Sequence, residues 1–243
     1  MQVEKNVVIS EFIVNMEDVL YHRDNTDVNI AEKVAEQTAS LAHYGVAHYV
    51  LTNAANQQDS DNLHIVQTDL FEHYPKLTLY FYRILMAFDF LQAHPEIEKA
   101  ALTDAGDVKM LNYPFDAVED GILYMGDETI FIYDTSILIG YDGPQFIKDF
   151  IWENGHLPIL NLGIMVGTRE TLIEYLGIMV KLITEAELSL AQGNDEAFLG
   201  TYEMAISNYV AYYYFKDRLV HGNQVSTIFH GEQMVSGAWF KHK

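Results

Sequence analysis

The chain has 243 residues, 49% of them apolar, and carries 35 Asp and Glu against 14 Lys and Arg, a formal net charge of −21. That length and apolar content suit one large α/β domain or two small ones with a substantial core, and they exclude a disordered chain. So acidic a chain repels a phosphate backbone, which argues against nucleic-acid binding, and the absence of cysteine excludes disulfides, thiolate zinc sites and cysteine nucleophiles.

No apolar run reaches the roughly 18 residues of a membrane span. Met1-Gln2-Val3-Glu4-Lys5 lacks the charged-then-apolar profile of a secretory signal. A cytoplasmic protein is the expectation. Asn6 to Ser10 reads as a first strand, with Phe12 to Val14 as a possible continuation. In α/β folds the loop after such a strand often touches a nucleotide, here Tyr21 to Asn25. Val28 to Tyr44 reads as a helix, capped by Thr26 or Asp27 and stopped by Gly45, and Val46 to Leu51 as the next strand. Helix, glycine and strand in that order point to a parallel sheet.

Asn53 to Asn62 is polar and turn-like; its Asp59-Ser60-Asp61 is a literal Asp-x-Asp, but no buried strand feeds it. Leu63 to Val66 is a short strand. Leu77 to Ala93 reads as a largely buried helix ending before Pro95, with one basic residue, Arg83, inside it. A buried Arg needs a partner, either a core carboxylate or a ligand phosphate.

The run Ala100-Ala101-Leu102-Thr103-Asp104-Ala105-Gly106-Asp107-Val108 is a short apolar stretch that stops at two carboxylates around a glycine. A buried strand of an open parallel sheet delivers such acids to its carboxyl end, where these sheets bind ligands. Paired acids suit a hard divalent cation, which in turn suits a phosphate-bearing ligand. The same residues also suit a plain turn, with Asp104 capping backbone amides.

Gly121 to Glu128 is another strand ending in acids. Ile130 to Trp152 mixes strand-like and turn-like residues and is left unassigned. Pro158 to Gly167 is apolar except for Asn161, which is either a satisfied core group or one aimed into a pocket, and Gly163 suits close backbone approach. Thr168 caps a helix running to about Ala191. Gly193 to Leu199 turns into a further helix with Asp195 and Glu196 at its start, where acids cap and where a general base can be held. Tyr209 to Phe215 is an aromatic run, read as core, with an oligomer interface as the alternative. The tail carries His221, His230 and His242, candidate metal ligands. Phosphate-loop, Gly-x-Gly-x-x-Gly, His-Glu-x-x-His and Gly-x-Ser-x-Gly signatures are absent from the sequence.

Taken together, Thr103-Asp104-x-x-Asp107-Val108 followed by Pro114-Phe115, then Asn161-x-Gly163-Ile164-x-x-Gly167, then an Asp-Glu pair and a His-bearing tail, resemble nucleotide-sugar-dependent glycosyltransferases of the GT-A fold. The acids are spaced Asp-x-x-Asp, with Gly106 where the strict motif has its second Asp. The resemblance implies a single α/β domain over 1–243, a Rossmann-type, mostly parallel central sheet flanked by helices. Its nucleotide-binding part would span about 1–115 and its acceptor side about 116–243. It implies Mn²⁺ or Mg²⁺ held by Asp104, Asp107 and His230, with His242 second in rank. A nucleotide-sugar donor, a UDP-sugar by expectation, would contact Ser10, Arg83, Asp104, Asp107, Asn161 and Gly163. Asp195 and Glu196 would be catalytic, the acceptor a carbohydrate or lipid-linked hydroxyl, and a homo-oligomer is allowed. In that chemistry a divalent cation stabilises the departing diphosphate and a carboxylate deprotonates the acceptor. Two other readings stand beside it: a metal-dependent phosphohydrolase or nucleotidyltransferase on the same acids, and a non-catalytic sugar- or nucleotide-binding domain.

Overall fold

A computed structural model describes residues 2–22, 26, 28–69, 77–135, 138, 140–233 and 235–243. The expectations placed on Arg23 to Asn25 and on Asp27 fall outside the described residues.

The strands are β1 (Asn6–Glu11), β2 (Ala47–Thr52), β3 (Leu63–Gln67), β4 (Lys99–Asp104), β5 (Val108–Met110), β6 (Leu123–Phe131), β7 (Pro158–Thr168), β8 (Leu219–His221) and β9 (Phe240–His242). Seven of them form one mixed sheet in the order β3-β2-β1-β4-β7-β6-β8, and β5 pairs with β9 in a small second sheet. The left half, β3 to β4, is parallel throughout; β7 runs against both β4 and β6, and β8 is parallel to β6. This is the expected α/β architecture with a mostly parallel sheet flanked by helices.

The helices are α1 (Ile30–Lys33), α2 (Ala35–Ala42), α3 (Leu79–Ala93), α4 (Gln145–Glu153), α5 (Arg169–Ala191) and α6 (Met204–Tyr214). Alternation along the strands divides the apolar side chains between two faces. Val7 and Ile9 of β1, with Ala100 and Leu102 of β4, join the large core that includes α3, α5 and α6. Val8 and Ala101, pointing the other way, pack with Leu41, Phe115, Trp239 and Phe240 under α2 and the β5–β9 pair. No helix among the described residues is long and apolar enough to cross a membrane.

Local differences from the sequence reading have local causes. The helix expected over 28–44 is broken at Val34 into α1 and α2, and Asn29 rather than Thr26 supplies the cap, accepting the Glu32 N–H. The unassigned stretch 130–152 holds the outer end of β6, a 3₁₀ turn at Ile132–Asp134 and α4. Asp195 and Glu196 open only a 3₁₀ turn, Asp195–Ala197, and the true helix begins nine residues on at Met204. The aromatic run over 209–215 is divided: Val210, Ala211 and Phe215 are buried, while Tyr213 is 65% exposed.

Candidate functional site

β1 and β4 lie side by side in register, so Glu11 sits opposite Asp104 at the carboxyl edge of the sheet. Asp104 is the last residue of β4, and the chain then turns through Ala105 and Gly106 to Asp107 before β5. Gly106 adopts φ +83, a left-handed conformation that disfavours any side chain, and a β-carbon there would lie 2.7 Å from the Lys33 carbonyl oxygen. The turn is therefore pressed directly onto α1.

A cleft of about 640 Å³ opens at this edge. Six acids line it, Glu11, Asp18, Asp104, Asp107, Glu128 and Glu203, against three cations, Lys33, Arg83 and Lys243. Arg83 reaches in from α3 and is shared by three carboxylates. Its Nη2 lies 2.8 Å from Asp104 Oδ1, Nε 3.5 Å from Glu11 Oε2 and Nη1 3.7 Å from Glu203 Oε1. Of the sequence's options for this Arg, the carboxylate partner is the one seen, and the residue also lines the cleft.

One guanidinium does not neutralise three carboxylates. Burial, reinforced by the neighbouring Asp104, pushes both Glu11 and Glu203 up to about 7 despite Arg83. Asp104 goes the other way: burial disfavours its charge, but Arg83, His242 and Lys243 outweigh burial and hold the carboxyl well below the usual range. The cluster thus holds one firm carboxylate and two whose protonation changes near neutral pH.

β7 closes the cleft. Asn161 donates to Glu128 Oε1 (2.8 Å) and accepts the Gly163 N–H (2.8 Å), so it is a satisfied group that also faces the cleft. A β-carbon on Gly163 would stand 2.2 Å from His242 Cε1 and 2.7 Å from Asp104 Oδ2. Glycine is required there by close approach, as its sequence context suggests.

The tail histidine beside Asp104 is His242, with Nε2 3.2 Å from Oδ2. His230 lines the same cleft, at φ +58. His221 pairs with Asp127 at 2.7 Å instead. Lys243 Nζ lies 3.3 Å from Asp107 Oδ2. Ser10 is fully buried and bonds to His48, Thr103 and Gln37 beneath the acid turn. Asp195 and Glu196 are exposed and do not line the cleft. The acid that does, next to Arg83, is Glu203, at the cap position of α6.

A divalent cation can be tested against these side chains by their chemistry. Two carboxylates and an imidazole are suitable donor types. They are not drawn together into a shell: no group of three or more His, Asp or Glu suited to a metal occurs among the described residues. Asp104 instead holds Arg83 and His242, and Asp107 holds Lys243.

No family model matches the chain, and no curated protein matches it. The chain is similar in fold to the crystal structure of a glycosyltransferase involved in the glycosylation of the major capsid of PBCV-1. The similarity covers 98% of this chain and 91% of that one, with a TM-score of 0.51 and 14% sequence identity.

Proposed function

We propose that the protein is a glycosyltransferase that moves a sugar from a nucleotide-diphosphate donor to a hydroxyl acceptor. The observation that carries this reading is the convergence of Asp104, Asp107, Arg83, Asn161 and Gly163 on one cleft at the carboxyl edge of the parallel strands, with the buried His242 against Asp104. That is where open α/β sheets bind their ligands. The fold likeness to a glycosyltransferase supports the same reading.

Residues of suitable type to hold Mn²⁺ or Mg²⁺ are Asp104, Asp107 and His242, with His230 on the cleft wall as a further candidate. Drawn together around such a cation, they would let it supply Lewis-acid stabilisation of a departing diphosphate. Glu203 is the candidate base. Its carboxyl is buried, lines the cleft and is pushed up to about 7, so at neutral pH it is well matched to take a proton from an acceptor hydroxyl. Arg83 fixes Glu203 and Glu11 against Asp104 and offsets part of their charge. Asn161 aligns Glu128 on the opposite wall.

The test is a thermal-shift screen with UDP, GDP, CMP and dTDP and their sugars, with and without Mn²⁺, followed by assay of donor turnover. Ligand well above its Kd should stabilise the fold by about 2–4 kcal/mol. One nucleotide class stabilising the protein, with turnover lost in Asp107→Asn, is the expected result. Release of phosphate from simple phosphoesters without a sugar nucleotide would favour a phosphohydrolase. Tight donor binding with neither transfer nor hydrolysis would make this a non-catalytic binding domain, an outcome the Lys243–Asp107 pair is compatible with.

A further inference from the structure

The acid turn is held from below by one face of a helix. Along α2 and its approach, Lys33, Gln37, Ser40 and Tyr44 recur at helical spacing and all meet the segment from Gly106 to Leu111. The Lys33 carbonyl abuts Gly106. Ser40 Oγ accepts the Met110 N–H at 3.0 Å, and the Tyr44 hydroxyl donates to the Leu111 carbonyl. Gln37 is the member that reaches the acids.

Gln37 is 1% exposed and its carboxamide is fully engaged. Oε1 accepts the Gly106 N–H at 2.7 Å, while Nε2 donates to Thr103 Oγ1 at 2.8 Å and to Ser10 Oγ at 3.3 Å. Its orientation is fixed by that arrangement, because a backbone N–H can meet only the oxygen end. Thr103 precedes Asp104 and Gly106 precedes Asp107, so one side chain grips the chain immediately before each acid. The other end of the grip is rigid. Ser10 and Thr103 share a hydrogen bond of 2.8 Å, Ser10 meets His48 Nε2 at 3.0 Å, and His48 Nδ1 meets Thr38 Oγ1 at 2.8 Å. Ser10, Thr103 and His48 are fully buried, and burial pushes His48 down to about 3, so the ring stays neutral at any working pH. Of the side chains in this network only Thr38, at its far end, is half-buried.

We propose that Gln37 is a positioning residue: through Gly106 and Thr103 it sets the placement of Asp104 and Asp107, with the Ser10–His48–Thr38 chain as its anchor. Its bearing on turnover rests on the glycosyltransferase reading; its hold on the turn does not. The experiment compares Gln37→Met, which keeps the volume and removes both polar ends, with Ser40→Ala, which removes a bond from the same helix face to β5 at a distance from the acids. Hydrogen exchange is read at the Gly106 and Met110 amides, and donor kinetics are read in parallel. In Gln37→Met the Gly106 amide exchanges at least tenfold faster with Met110 little changed, and kcat/KM falls about tenfold or more. In Ser40→Ala the exchange pattern reverses and kcat/KM changes less than twofold. Should Gln37→Met fail to fold, Gln37→Glu, which keeps an acceptor for Gly106, retains Gly106 protection. Unchanged Gly106 exchange in Gln37→Met, or its loss in Gln37→Glu, overturns the proposal. Equal kinetic losses in Gln37→Met and Ser40→Ala overturn it too, by reducing Gln37 to a general stabiliser. A wild-type protein that turns over no sugar nucleotide sinks the functional reading alone, since the exchange measurement still decides what Gln37 holds.

Discussion

Gly163→Ala isolates the contact between β7 and the tail of the chain. The backbone at Gly163 is ordinary strand, so an alanine there meets no conformational penalty and gains about 0.5–1 kcal/mol from a stiffer unfolded chain. The penalty is steric. The new methyl would stand 2.2 Å from His242 Cε1 and 2.7 Å from Asp104 Oδ2, short of ordinary carbon–carbon contact at the imidazole by roughly 1.3 Å. His242 and Asp104 are 3.2 Å apart, so a displacement of that size breaks their hydrogen bond. Overpacking costs about 1–3 kcal/mol and the lost bond to a charged group about 1.5–3 kcal/mol. The net loss is about 1.5–5.5 kcal/mol, a fall in Tm of roughly 3–20 °C for a chain of this size. Thermal melts of Gly163→Ala, His242→Ala and the double variant give the measurement. With the imidazole removed, the alanine should cost clearly less, the remaining contact being the one with Asp104 Oδ2. An alanine that costs the same in both backgrounds, or nothing in either, would show that His242 is not seated against Gly163.

Three further outcomes are expected. Glu203→Gln lowers kcat at least about 100-fold, whereas Asp195→Asn and Glu196→Gln, both on an exposed turn, leave it within about twofold; the reverse ranking in donor turnover assays would restore the sequence assignment. Stability should depend on pH through the same cluster. Glu11 and Glu203 sit at about 7 instead of the ordinary 4.5, so the stability of their neutral forms is complete below about pH 4.5 and is lost as pH rises through 7, about 3 kcal/mol for each carboxyl. Asp104 has the opposite sign, its contribution disappearing as pH falls below the ordinary carboxylate range. Tm should therefore be several degrees higher at pH 5.5 than at pH 8.5, and Glu203→Gln should roughly halve that difference, Glu11 supplying the rest; an unchanged slope in the variant would exclude Glu203 as a contributor. Arg83→Met strands two buried carboxylates and the half-buried Asp104 and should destabilise the protein by about 3–5 kcal/mol at pH 8, and by clearly less at pH 5.5, where two of the three are protonated; equal losses at both pH values in denaturant melts would contradict the shared-charge arrangement.

What was legible in the sequence was local. A strand that ends in acids, a glycine between them and an Arg inside an apolar helix are patterns readable within a dozen residues; Arg83 does meet Asp104, and Asp107 lines the same cleft. The rest depends on register. Glu11 matters because β1 pairs with β4 so that two strand ends with acids fall side by side, and no local pattern marks that. Glu203 was missed for a definable reason: an acid at a helix start was sought at Asp195 and Glu196, but Gly200, at φ +88, ends the intervening stretch and α6 starts after Glu203. The resemblance ranks His230 ahead of His242, and only the pairing of β5 with β9 brings His242 onto Asp104. The resemblance implies Ser10 as a donor contact, yet the neighbouring hydroxyl of Thr103 and the imidazole of His48 absorb it into the floor.

The charge pattern of the cleft bears on how an anionic donor would enter. Of its three cations, Arg83 is committed to three carboxylates and Lys243 to Asp107. Lys33 alone lines the cleft without an ion pair among the described residues. A diphosphate brought against six acids with one uncommitted lysine would meet net repulsion in a partly desolvated site, where charges act more strongly than in water. Such a donor must arrive with countercharge of its own, or release Lys243 from Asp107, or bind after Glu11 and Glu203 have taken up protons. All three routes act on the same few side chains, so on the proposed reading the acids that make the cleft an unfavourable place for a bare nucleotide would tie its binding to countercharge and to pH in the range where Glu11 and Glu203 titrate.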